Sequence, residues 1–147
     1  MKKYDLEKVL PHNYPMILID DIIEVNLAEH YIICSVDIRK DKIFFEKDGV
    51  NPLVGIEFMA QTIGCYSFFK NNECTPKIGF LLGTRSYKNT LEKFEEGKSY
   101  TIKAKEVYGD TDLVSFECFI YNGEQECANA IVNAYMPEDT VNFEEVR

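Results

Sequence analysis

Glu57 and Gln61 stand four residues apart inside the run Asn51–Lys70, NPLVGIEFMAQTIGCYSFFK. That spacing puts both side chains on one stripe of a helix. Glu57 is the only acidic residue of the run and is flanked by Ile56, Phe58 and Met59. A carboxylate in such surroundings is costly unless it is paired, hydrogen-bonded or protonated. Burial is therefore expected to raise its pKa and hold it partly neutral near pH 7, or to place it on a wet cavity. A carboxyl tuned in this way can act as a general acid. Gln61 can position that carboxyl or a bound water. An acid needs a base, and the chain has two histidines, His12 and His30. His30 begins a strand beside a turn and reads as an ordinary exposed residue. His12, in the connector after Leu10–Pro11, is the imidazole available for base chemistry. The plainer alternative is that the Glu57–Gln61 stripe faces a polar crevice or a partner subunit and does no chemistry.

The elements around this pair follow from local pattern. Asn51 is a good N-cap and Pro52 suits the first helical position. From Leu53 to Phe69 the residues are apolar on most sides, which predicts a buried helix rather than a surface one. The polar residues within it, and its length, argue against a membrane span. Asp5–Leu10 predicts a short helical turn stopped by Pro11. Met16–Val25 predicts a strand with a bulge at Asp20–Asp21, joined through Asn26–Glu29 to a second strand, His30–Ile38. Arg39–Gly49 reads as a loop and Asn71–Pro76 as a break. Ile78–Leu82 predicts a strand continuing to Tyr87. Phe94–Lys98 predicts a turn, Ser99–Val107 a strand with Tyr100, Ile102, Ala104 and Glu106 on one face, and Tyr108–Asp112 a tight turn. Leu113–Tyr121 and Gln125–Met136 are two further strands joined at the hairpin signal Asn122–Gly123. The tail, residues 137–147, is expected to be loosely held. The sum is one α+β domain over residues 1–147, a single long helix wrapped by an antiparallel sheet.

Composition narrows the function. With 147 residues, 46% apolar and 13% aromatic, the chain can bury a full core. A net charge of -9 argues against nucleic acid or an anionic membrane as the main partner. The cysteines, Cys34, Cys65, Cys74, Cys118 and Cys127, are odd in number and lack metal-type spacing. They read as reduced thiols, so neither a metal centre nor a disulfide framework is expected. The N-terminal run MKKYDLEKVLPHNYP has no apolar core like that of a signal peptide. A cytoplasmic location is expected.

Four motifs then resemble a known family: LPHNYPMILIDDI (Leu10–Ile22), GIEFMAQTIG (Gly55–Gly64), GFLLGTRSYK (Gly79–Lys88) and FEEGKSYTIKAKEV (Phe94–Val107). They occur in the order found in hotdog-fold 3-hydroxyacyl-ACP dehydratases, and YNGEQECANAIVNAYMP fits the last hairpin. The E-x-MAQT-x-G helix is most similar to a divergent branch associated with aryl polyene biosynthesis. The resemblance implies a helix wrapped by a curved sheet, and a homodimer or a heterodimer with another hotdog subunit, with sheets joined edge to edge. It also implies a substrate on the phosphopantetheine arm of an acyl carrier protein or on coenzyme A, and no further cofactor. The reaction implied is loss of water from a 3-hydroxyacyl thioester to give a trans-2-enoyl thioester. Glu57 and Gln61 match the family's helix glutamate and glutamine. Counted back without gaps, the family's loop histidine falls at Ile43, and the glycine whose amide polarises the thioester falls at Pro52, which has no N–H.

Dehydration needs a base for the C2 proton and an acid for the C3 hydroxyl. Glu57 is expected to be the acid, Gln61 its positioner and His12 the base. The amides of Leu53 and Val54 are expected to be free donors able to replace the missing glycine, with Gly55 beside them at the substrate. Lys77, Arg85 and Lys88 bracket the strand after the helix, and Lys93 and Lys98 follow. Arg85 and Lys88 are the expected contacts for an acidic carrier, against a plain reading as a solvated strand face. Three functions compete: a hydro-lyase, a non-catalytic partner subunit of a dehydratase heterodimer, and a hotdog thioesterase in which the carboxylate activates water.

Overall fold

The computed structural model describes residues 4–71, 80–110 and 113–135. The expected break after Asn71, Cys74, Lys77, the start of the strand at Ile78, residues 111–112 and the tail lie outside these.

The chain opens with one helical turn, α1 (Leu6–Val9), capped by the Asp5 side chain on the Glu7 amide. Strands β1 (Asp21–Asn26) and β2 (Tyr31–Asp37) form the expected hairpin. Two short strands follow, β3 (Phe45–Glu46) and β4 (Gly49–Val50), then a 3₁₀ turn (Pro52–Val54) and the long helix α2 (Gly55–Lys70). The remaining strands are β5 (Phe80–Asn89), β6 (Phe94–Glu95), β7 (Ser99–Asp110), β8 (Leu113–Asn122) and β9 (Gln125–Tyr135). The main sheet is antiparallel with order β1-β2-β7-β8-β9-β5, and β3-β4-β6 form a small second sheet.

The α+β expectation holds, and strand alternation explains how the sheet holds the helix. Ile32, Cys34 and Val36 of β2, Tyr100, Ile102 and Ala104 of β7, and Phe116, Cys118 and Ile120 of β8 all turn inward. They meet Phe58, Met59, Ile63, Tyr66 and Phe69 of α2. Edge-to-face contacts of Phe94 with Tyr100 (4.9 Å) and Tyr66 with Phe116 (5.7 Å) fix the aromatic layer. Glu106 completes the inward face of β7, where it accepts from Tyr66 Oη (3.3 Å) and Lys70 Nζ (2.5 Å) and so pins the far end of α2.

Several local expectations are corrected. The helix is not covered on every side in the single chain: Ile56, Ala60, Gly64 and Phe68 form a half-exposed stripe. Asn51 caps the 3₁₀ turn rather than α2 itself, because its side chain accepts from the Leu53 amide at 2.9 Å. Arg39–Gly49 is not all loop, and Phe94–Glu95 is a strand, because β4 pairs with both β3 and β6. No alternation longer than two residues signals such a sheet. β7 runs on through Gly109, with an irregularity between Glu106 and Tyr108 absorbing the turn signal. The β8–β9 loop is Gly123–Glu124, one residue later than expected, and Gly123 takes the positive φ of +64°.

Met16–Ile19 departs furthest from expectation. It carries no strand ladder: Met16 closes a turn in which its N–H donates to the Asn13 carbonyl (2.8 Å), and β1 begins only at Asp21. Side chains take the place of the ladder. The Leu18 N–H donates to Gln61 Oε1 (2.8 Å), and the Leu18 carbonyl accepts from Lys42 Nζ (3.0 Å). The Met16 carbonyl accepts from Gln61 Nε2 (2.9 Å). The bulge of β1 accordingly falls between Ile22 and Glu24 rather than at Asp20–Asp21.

Candidate active site

Glu57 sits in the first turn of α2 and is half-buried. Gln61 Nε2 donates to Glu57 Oε1 at 3.1 Å, the i, i+4 contact expected from spacing. Gln61 is itself 1% exposed, and its amide is fully engaged by Glu57, Met16 and Leu18. Its rotamer is therefore fixed, and with it one oxygen of Glu57. Glu57 borders an open cleft of about 350 Å³, lined also by Met16, Phe44, Leu53 and Val54. This is a carboxylate at the mouth of an apolar pocket, held from behind by an amide.

Met16 and Phe44 escaped the sequence reading. Met16 lies there because Gln61 anchors its carbonyl. Phe44 has a left-handed backbone, φ +69°, which a bulky residue adopts only at a cost of about 1–3 kcal/mol. The strain turns the ring to the cleft, and nothing in RKDKIFFEKDG marks it.

The expected oxyanion donors are not free. The Leu53 amide donates to Asn51 Oδ1 (2.9 Å) and the Val54 amide to the Asn51 carbonyl (3.0 Å). The Gly55 amide donates to the carbonyls of Leu53 and Pro52. The 3₁₀ turn consumes these donors because a tighter winding lets the cap and the turn close on themselves. Leu53 and Val54 belong to the cleft through their apolar side chains instead. Gly55 stands outside its lining, packed so closely that an added Cβ would collide with the Tyr87 hydroxyl and lie 3.1 Å from both Ile120 Cδ1 and Phe94 Cζ. Tyr87 Oη donates to the Pro52 carbonyl at 2.5 Å and so ties β5 to the entry of the helix. Burial pushes the Tyr87 phenol up to about 12.

His12 is half-buried in the connector, outside the lining of the Glu57 cleft, and its Nδ1 is buried with no partner among the described residues. His30 is exposed, with its Nδ1 3.9 Å from Glu106 at the opposite end of α2. Arg85 and Lys88 are exposed on β5. Arg85 lines a separate groove with Leu113, Ser115, Ile131 and Asn133. Lys93 and Lys98 are committed to Asp48 (2.5 Å) and Glu95 (2.6 Å). Cys34, Cys65, Cys118 and Cys127 are buried free thiols. The Cys65 thiol is pushed well up by its hydrogen bond with Cys34 and by burial, so it is inert as a nucleophile. Among the described residues no His, Cys, Asp and Glu group is arranged to hold a metal ion. No helix among them is long and apolar enough to cross a membrane.

A curved antiparallel sheet around one helix, with a glutamate in that helix's first turn facing an apolar cleft, defines a hotdog-fold protein. The chain belongs to the ApeP-like family, described as ApeP dehydratase, whose model matches residues 4–145. It is similar to a chain of the dehydratase heterocomplex ApeI:P from Xenorhabdus doucetiae, with 26% identity, 94% of each chain covered and a TM-score of 0.83. It is also similar to the 3-hydroxyacyl-[acyl-carrier-protein] dehydratase FabZ of Acinetobacter baylyi, 28% identical over 78% of this chain and 82% of the relative. FabZ of Wolbachia sp. subsp. Brugia malayi is 24% identical over 90% and 94%.

Proposed function

We propose that the protein is a hydro-lyase that removes water from a 3-hydroxyacyl thioester borne by an acyl carrier protein, giving the trans-2-enoyl thioester. The observation that carries this reading is the Glu57 carboxylate, tethered at 3.1 Å by Gln61 on the rim of an apolar cleft. Membership of a dehydratase family and likeness to two FabZ proteins support it. The acyl chain lies against Met16, Phe44, Leu53 and Val54, which places C3 near Glu57. Glu57 gives its proton to the departing C3 hydroxyl. The C2 proton goes to an imidazole base, His12 or one brought by a second subunit, since His12 lies outside the cleft lining with its Nδ1 buried. No resident cofactor enters this scheme, since the phosphopantetheine arm brings the thioester. We place the protein in the cytoplasm, where carrier and thioester are found.

A second reading shares the same site. The likeness to a subunit of a heterocomplex, and Ile43 at the family's histidine position, favour pairing with another hotdog subunit through the β5 edge. Glu57 is then half of a composite site. One assay separates the readings. The pure protein is incubated with a 3-hydroxyacyl carrier protein, alone and with a second hotdog dehydratase subunit, and enoyl product and free thiol are followed. Enoyl product from the protein alone is expected. Product only with the partner selects the composite site, and free thiol in place of enoyl product overturns both in favour of thioester hydrolysis.

A further inference from the structure

The wall of the Glu57 cleft is held by a residue that does not line it. Lys42 Nζ is bonded to three acceptors: the Asp20 carboxylate, the Leu18 carbonyl (3.0 Å) and the Asp37 carbonyl (2.7 Å). An ammonium has three hydrogens, so none is left for a ligand. Its side chain is 12% exposed. Asp20 is 6% exposed, and its other partners are the Asp37 amide (2.6 Å) and Arg39 Nη1 (2.9 Å). The pair is thus a saturated, internal ion pair rather than a surface bridge. Burial pulls the Lys42 ammonium below the usual lysine range, while Asp20 opposes the shift.

The position of this pair matters more than its strength. Leu18 is gripped on both sides, its N–H by Gln61 and its carbonyl by Lys42. Met16, two residues before Leu18, and Phe44, two residues after Lys42, are both walls of the cleft. Gln61 in turn holds Glu57. From this chain of contacts the geometry points to Lys42, with Asp20, as a positioning residue for the proposed dehydration: it clamps the Met16–Asp20 segment so that Gln61 and Glu57 keep their register to the cleft. The inference rests on the function proposed above.

Amide hydrogen exchange in the full-length protein, read residue by residue by NMR, tests the clamp without substrate. In Lys42→Met the Leu18 amide is expected to exchange about tenfold faster or more, while amides of α2 and β7–β9 keep their rates. Turnover of a 3-hydroxyacyl carrier thioester is expected to fall about tenfold in kcat with KM within about twofold, the mark of misplacement rather than lost binding. Placed in a Glu57→Gln background, Lys42→Met should cost nothing further. A folded Lys42→Met that keeps either the wild-type Leu18 rate or the wild-type kcat overturns the proposal. If Lys42→Met does not fold, Lys42→Gln, which retains up to two donors, is read in the same way. Loss of fold in both makes Lys42 a residue of stability alone and also overturns it. Wild-type protein that turns over no thioester either alone or with a second hotdog subunit, with Leu18 exchange still raised in the variant, would instead overturn the dehydratase reading and leave the clamp standing.

Discussion

Gln61 reaches Glu57 from one turn further along the same helix, and the amide that fixes the carboxylate also grips the main chain of Met16 and Leu18. The two tasks cannot be separated by truncation. Gln61→Leu fills similar space but strands the buried Leu18 N–H, at about 1–3 kcal/mol, and removes the donor to the Met16 carbonyl. Denaturant unfolding should show a lowered midpoint with an unchanged slope, since the surface exposed on unfolding is the same.

Glu57 should be dispensable to the fold and indispensable to turnover. Glu57→Gln keeps the shape, removes the charge and leaves the fold and assembly state intact. Its rate should fall by about two to four orders of magnitude, the usual cost of one acid–base group. His12→Ala is the companion measurement. A comparable loss identifies the base, whereas full activity rejects His12 and leaves Glu57 working alone or with a histidine of a second subunit.

Tyr87 links alkaline pH to stability. Its phenol has an ordinary value of 10.0 and is pushed to about 12 by burial in the folded chain. Between those values the unfolded chain has lost its proton and the folded chain has kept it. The contribution is therefore fully present below about pH 10 and is lost as pH rises to about 12. Chemical denaturation across pH 8–11 should show a shallower alkaline decline in Tyr87→Phe than in wild type.

Gly55 leaves no room for a side chain at the entry of the helix. Gly55→Ala drives a methyl into the Tyr87 hydroxyl, and Phe94 and Ile120 close the other exits. Overpacking of this kind costs about 1–3 kcal/mol, read as a lowered Tm. If stability stays at the wild-type value, the helix entry is not held as described.

Legibility followed the physics of each element. Strands β2, β7, β8 and β9 could be read because their apolar residues alternate, helix α2 because a long apolar run follows the start signal Asn51–Pro52, and Glu57 with Gln61 because four-residue spacing is local. The cleft's other walls could not. Met16 and Phe44 are distant in sequence from Glu57, and they meet it only through Gln61 and through a positive φ that no residue type announces. The expectation of free amides at Leu53 and Val54 failed because a 3₁₀ turn and an α-helix share the same start signals yet differ in which donors they consume. Lys42 was hidden among charged neighbours that look solvated.

The substitution of side-chain contacts for a ladder over Met16–Ile19 also bears on inheritance. A strand held by main-chain bonds is nearly indifferent to which side chains it carries. A segment held by Gln61 and Lys42 is not: one codon at either position can alter the motion of the cleft wall while every paired strand keeps its register. A change at Gln61 or Lys42 can therefore reshape the cleft wall while the paired strands are passed on unchanged.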